Sequence, residues 1–230
     1  MRHTQIKETF TLAFSRTFPV FTGFLVMGTA YGILMASKGF NPFWILLISA
    51  TSLCASMQFV AIPFFAGVFA PMQVFLLSLM VNARHFFYGL SMLERYKGVG
   101  KAKVFLIFGL CDESFAINTS TELPDHIDKK MFYLMVTFLV WLYWTGFSFI
   151  GGIIANFFTI ETKGLDFTLT ALFIVLFLEQ VKSKQSLVYG LIGMVSALVS
   201  LYFFGPDNMV IPAMIFILIV LLGRRKALCN

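Results

Sequence analysis

The run Val81-Asn82-Ala83-Arg84-His85-Phe86-Phe87-Tyr88-Gly89 brings an amide, a guanidinium, an imidazole and a phenol together within two turns of a helix. A second run, Leu110-Cys111-Asp112-Glu113-Ser114-Phe115-Ala116, adds an acidic pair. The surroundings are apolar: between Lys38 and Arg84 there is no Asp, Glu, Lys, Arg or His. Each ionised group at the centre of a bilayer helix costs roughly 2.5–3.5 kcal/mol on insertion scales, so such residues are retained for work rather than packing. A cation and an acidic pair on neighbouring hydrophobic segments form a polar path through a membrane. That is the chemistry of a transport route.

On a helix, Asn82, His85 and Gly89 share one face, and Arg84 and Tyr88 share another by the i, i+4 rule. Arg84 either offers its planar donor fork to a carboxylate or serves as the structural partner of Asp112 or Glu113. His85 carries a proton or makes a satisfied interhelical hydrogen bond. Asp112 and Glu113 are adjacent, so they point about 100° apart and cannot both face one cavity squarely. One pairs with Arg84 while the other takes up a proton, or the pair is a purely structural ionic contact. Gln58 lies near an expected helix break, where its carbonyl either receives an ammonium or satisfies the break. The substrate-binding candidates are therefore Gln58, Asn82, Arg84 and Tyr88. The proton-coupling candidates are His85, Asp112 and Glu113, and no catalytic residue, metal ligand or cofactor is expected. Asp166 reads as a helix N-cap before Phe167, Glu179 and Lys182 as interfacial residues, and Tyr31-Gly32 and Gly151-Gly152 as close-packing positions.

The elements that must position these groups follow from the uncharged runs. Residues 17–37 make one span. Residues 39–83 carry no charge but are interrupted by Pro42, Pro63, Gly67 and Pro71. A broken or re-entrant pair fits there, with Ala55-Ser56-Met57-Gln58 as its polar midpoint and Pro63 beyond. A span from about 72 to 93 follows. Residues 103–121 read as a crossing with Asp112-Glu113 near its middle. Residues 131–160, 185–206 and 208–223 complete the set, and residues 166–179 read as a second short broken segment. The expected fold is all-α, a polytopic transmembrane bundle of about six full spans plus two broken or re-entrant segments, forming one permease domain over residues 1–230. Gly39-Phe40-Asn41 before Gln58 and Gly164-Leu165-Asp166 before Glu179-Gln180 hint at an internal repeat.

Composition supports this class. Hydrophobic residues make up 59% of the chain and charged residues 12%, against about 25% charged in an average globular domain. The formal charge of +6 could suggest nucleic acid, but the cations gather between the apolar segments, as the positive-inside rule requires. Arg2, Lys7 and Arg16 place the N-terminus in the cytoplasm, together with the loop carrying Arg95, Lys97, Lys101 and Lys103 and the regions of Lys182, Lys184 and Arg224-Arg225-Lys226. Cys54, Cys111 and Cys229 are scattered, without disulfide or zinc spacing. No removable signal peptide is read at the N-terminus. The motifs His-Glu-x-x-His, Gly-x-Ser-x-Gly and Gly-x-Gly-Asp of intramembrane and other hydrolases are missing.

Taken in order, Tyr31-Gly32, Ser56-Met57-Gln58-Phe59-Val60-Ala61, Asn82-Ala83-Arg84-His85-Phe86-Phe87-Tyr88-Gly89, Asp112-Glu113-Ser114-Phe115-Ala116 and Gly164-Leu165-Asp166-Phe167 resemble the pattern of the AzlC family. These are the large subunits of branched-chain amino acid exporters, and the likeness covers nearly the whole chain. Met57 departs from the Ser more often found there. The resemblance implies a permease of the bacterial cytoplasmic (inner) membrane that exports leucine, isoleucine, valine and methionine. It also implies drive by the proton gradient and a small, separately encoded AzlD-type membrane subunit as partner. A passive channel or assembly subunit, and an intramembrane enzyme, are the alternatives. Uphill movement against a gradient separates an exporter from a channel, and product chemistry would reveal an enzyme.

Overall fold

The computed structural model describes residues 2–67, 71–124, 126–157, 174, 177–178, 181 and 184–228. The described residues are all-helical, without a strand, as expected. The α-helices are α1 (Arg2–Ser37), α2 (Pro42–Thr51), α3 (Ala55–Ala66), α4 (Pro71–Met92), α5 (Lys103–Phe108), α6 (Asp112–Ser120), α7 (Lys129–Phe157), α8 (Lys184–Asn208) and α9 (Val210–Leu228). A 3-10 turn, Gly100–Ala102, leads into α5. Among the described residues, three stretches are long and apolar enough to cross a membrane: Gln5–Ser37, Lys129–Phe157 and Leu187–Gly205. With 22 residues, α4 reaches about 33 Å and is long enough as well, but it carries the polar run.

The contacts divide the chain into two compact units, Met1–Thr162 and Lys163–Asn230. The second unit contains α8 and α9, which pack on each other, with Gly205 (φ 73°) kinking α8 in a conformation that only glycine adopts readily. The expected broken segment at 166–179, with Asp166 and Glu179, lies outside the residues that can be described, apart from isolated positions.

In the first unit, α1 and α7 form the central pair, and they run parallel. Thr17 meets Tyr143 at 3.3 Å, Phe21 meets Phe147 with ring centroids 5.2 Å apart, and further along Gly32 meets Ser148 and Gly152. The seam is backbone against backbone: a Cβ on Gly32 would strike the Ser148 carbonyl, and one on Gly151 would strike that of Thr29. The close-packing positions read from Tyr31-Gly32 and Gly151-Gly152 thus pack against each other. Small residues allow this approach where lipid leaves little hydrophobic driving force between helices.

The α2–α3 pair is a re-entrant hairpin. Asn41 caps α2 by accepting from the Phe43 N–H at 2.6 Å, and Pro42 occupies the first turn, where a missing N–H costs nothing. From Pro42, beside Gly152, α2 runs antiparallel to α7 until Ser49 and Ala50 reach Thr145 and Trp141. The Trp141 indole donates to the Ala50 carbonyl at 2.9 Å, satisfying one of the acceptors that a helix end leaves open. The chain turns at residues 52–54 and returns as α3, with Phe59 against Tyr31 and Phe65 against Phe40, back at the end where it entered.

Residues 103–121 differ from the expected single crossing. Helix stops at Phe108, and a new helix begins at Asp112. The break lies deep, where a Cβ on Gly109 would strike the Thr137 side chain. The second half then turns back: the Arg95 guanidinium donates to the Asn118 carbonyl at 3.1 Å, and the Asn118 amide donates to Tyr96 at 3.0 Å. Tyr96 in turn packs on Tyr133 near the start of α7, and His126 lies 3.9 Å from Glu8. Residues 93–103, residues 121–124 and 126–128, and the start of α1 therefore share one side. The α5–α6 pair is a second hairpin, opening opposite to the first.

Candidate functional site

Both hairpin turns meet α4 at its polar run. Arg84 donates from Nη1 to the Asp112 carboxylate at 2.7 Å and from Nη2 to the Ser56 hydroxyl at 2.6 Å. One guanidinium thus bridges the first turn of α6 and the first turn of α3. Tyr88, one turn on, stacks on Phe115 with centroids 4.3 Å apart, which confirms that Arg84 and Tyr88 share the face towards α6. Asn82 accepts from the Cys54 thiol at 2.9 Å and donates to Ser78 at 3.3 Å, so it holds the other hairpin turn.

Burial and pairing assign different situations to the remaining candidates. Gln58 is buried at 3% exposure, donates to the Ser52 carbonyl across the break, and accepts from the Trp144 indole at 3.1 Å. One amide hydrogen and one carbonyl lone pair remain for another partner. Asp112 and Glu113 are half-buried in the first turn of α6, where the exposed N–H groups favour negative charge. His85 lies about 100° round the helix from Arg84, with its ring 5.6 Å from that of Tyr88. It lines a largely apolar cavity of about 300 Å³ with Gly89, Leu93, Ile107 and Leu110, and Tyr96 and Lys103 are the other polar side chains on its wall. Burial raises the Tyr96 phenol to about 12, so it stays neutral at physiological pH.

Three groups at the site are buried and without a hydrogen-bond partner among the described residues: Arg84 Nε, Asp112 Oδ1 and His85 Nδ1. Buried polar atoms normally find partners, and an orphan costs about 1–3 kcal/mol. Here a donor and an acceptor stand open on the two members of a single ion pair. Sequence reasoning did not single out Ser56, Cys54, Ser114 or Trp144. Ser56 and Ser114 had a signal, a small hydroxyl beside each acid or amide candidate, but only the hairpin turns give it meaning.

Residues 19–158 match the family model described as AzlC protein, which covers most of the first unit. The "Branched-chain amino acid transport protein AzlC" of Bacillus subtilis is 47% identical over 227 residues, covering 99% of this chain and 89% of that protein. The chain belongs to the AzlC family. An uncharacterized membrane protein of Haemophilus influenzae is 35% identical, covering 95% of this chain and 90% of its own length. Another, from Helicobacter pylori, is 33% identical, covering 96% and 97%. No solved structure matches the chain. The matched region contains both hairpins, α4 and the glycine seam, so the family model coincides with the part of the molecule that builds the site.

Proposed function

We propose that this protein is the large subunit of a two-component secondary transporter that exports leucine, isoleucine, valine and methionine, with the proton gradient as driving force. It is a transporter and not an enzyme. The observation that carries the reading is the Arg84–Asp112 pair with its open Nε donor and Oδ1 acceptor. A zwitterionic amino acid supplies the missing partners: its carboxylate for the guanidinium, its ammonium for the carboxylate. Glu113 beside them makes two acids for one arginine, so a proton or the substrate ammonium balances the surplus negative charge. Tyr88 and Asn82 frame the head group, and the remaining amide capacity of Gln58 serves the ammonium. The aliphatic side chain needs an apolar surface, which the hairpin turns and the cavity beside His85 supply.

The Bacillus subtilis relative, named for branched-chain amino acid transport, supports this substrate class. Export, proton coupling and a small AzlD-type partner subunit rest on the family resemblance. In this reading the protein lies in the bacterial cytoplasmic membrane with its N-terminus cytoplasmic, and the basic residues Lys7, Arg95, Lys97, Lys101, Lys129 and Lys130 on one side of the first unit support that orientation. The test is counterflow of labelled leucine in proteoliposomes, with and without the small subunit and with and without a pH gradient. Leucine exchange that becomes uphill movement when the gradient is imposed supports an exporter. Only downhill flux would indicate a channel, and no leucine movement in any arrangement would overturn the substrate class.

A further inference from the structure

A pattern recurs along the chain at an interval of 57 residues, as in 111 − 54. Tyr31-Gly32 returns as Tyr88-Gly89, Met35 as Met92, Lys38 as Arg95, and Leu53-Cys54 as Leu110-Cys111. The first members lie on α1, just after it (Lys38) and in the α2–α3 turn; the second lie on α4, just after it (Arg95) and in the α5–α6 turn. The equivalence extends to the backbone. Ser52 and Gly109 hold corresponding positions, and each carbonyl accepts from a side chain of the returning helix, from Gln58 in one case and from Ser114 at 2.8 Å in the other. Each returning helix begins after a cysteine, Cys54 or Cys111. Because α4 runs opposite to α1 and the hairpins open to opposite sides, the repeat is inverted.

Arg84 is the point at which the two halves meet. It bonds Ser56 on one returning helix and Asp112 on the other. We propose that α2–α3 and α5–α6 are the outer and inner gates of one translocation path, closed across Arg84 and opened in alternation. A carboxylate that enters at the open Nε and completes a two-point fork competes with Ser56 or Asp112 for an Nη, so occupancy loosens one hairpin while the other stays held. The inverted repeat gives both gates similar local structure, which keeps the two open states close in energy.

This inference rests on the transporter reading, but its test follows access and not substrate. Cys229→Ser chains retaining only Cys54 or only Cys111 are reacted with a membrane-impermeant trimethylammonium-ethyl methanethiosulfonate in right-side-out and inverted vesicles. Cys54 should react from the outer face alone and Cys111 from the cytoplasmic face alone. Ser56→Ala should speed Cys54 modification by about tenfold, the worth of one hydrogen bond to a charged group, and leave Cys111 unchanged. Asp112→Asn should do the reverse, and Ser56→Thr and Asp112→Glu should restore slow labelling, which separates gating from misfolding. Both cysteines reacting from one face, neither reacting in any variant, or both rates rising together would overturn the gates. Reciprocal labelling in a protein that fails to move leucine would refute the substrate class and leave the gates standing.

Discussion

Arg84 is held at two points and open at a third, and that geometry sets the residue-scale predictions. A lysine reaches Asp112 as a point charge but cannot bridge to Ser56 or offer a carboxylate a planar fork. Arg84→Lys should therefore weaken apparent leucine affinity about tenfold to hundredfold with unchanged expression, read by the concentration dependence of counterflow. Near-normal affinity would make the arginine a structural partner only. Asp112→Asn and Glu113→Gln preserve shape while removing charge, and at least one should abolish gradient-driven efflux while leaving the protein inserted. Efflux surviving both substitutions would remove this pair from the coupling. Trp144→Phe deletes the indole N–H that Gln58 receives, and should cost about 1–3 kcal/mol of stability, seen as a lower melting temperature in detergent. The chemistry of Arg84, Tyr88 and Asp112 was legible in the sequence because charge is rare in such apolar surroundings. The contrast between Asp112 at the bridge and His85 on the cavity was only half legible: helical spacing separated His85 from Arg84, but nothing in it named Ser56.

At the scale of elements, the two hairpins had unequal signals. Prolines, Gly67 and the polar Ser56-Met57-Gln58 announced the first. The second was hidden, because residues 103–121 have the length and apolarity of one ordinary crossing and only Gly109 marks the break. Its cap was hidden too: the Cys111 N–H is received by Ser114 at 2.9 Å, and cysteine is not among the favoured N-cap residues. The glycine seam between α1 and α7 gives a further test. Gly32→Ala and Gly151→Ala push a methyl into facing backbone, and each should cost about 1–3 kcal/mol as overpacking. Gly23→Ala and Gly146→Ala meet open space, and should be neutral or slightly stabilising through helix propensity. Thermal shifts in detergent would separate the two sets; equal losses in both would mean that the seam is not close-packed in the membrane.

For the first unit as a whole, hairpins of opposite sense change the side on which connecting loops lie. Reporters fused after Lys101 and after Glu122 should both report cytoplasm, and one fused at Asn41 should report the outside. A signal from outside at Glu122 would restore a full crossing for residues 103–121. The expected repeat paired residues 39–58 with 164–180, largely outside what can be described. The 57-residue spacing is present in the sequence, but its matches are single residues and dipeptides, too sparse to stand out without the two hairpins that give them equivalent places.

The parallel α1–α7 pair also carries a consequence for how the chain is made. The partner of Thr17 is Tyr143, 126 residues later, so the first helix to leave the ribosome has no seam to close until nearly the last of the first unit has been synthesised. At roughly 5–20 residues per second, α1 waits about 6–25 s in the bilayer with its glycine face against lipid. Such a helix needs a companion in the interval, and nascent chains arrested before α7 should be captured by the insertion machinery, whereas chains arrested after Phe157 should be released.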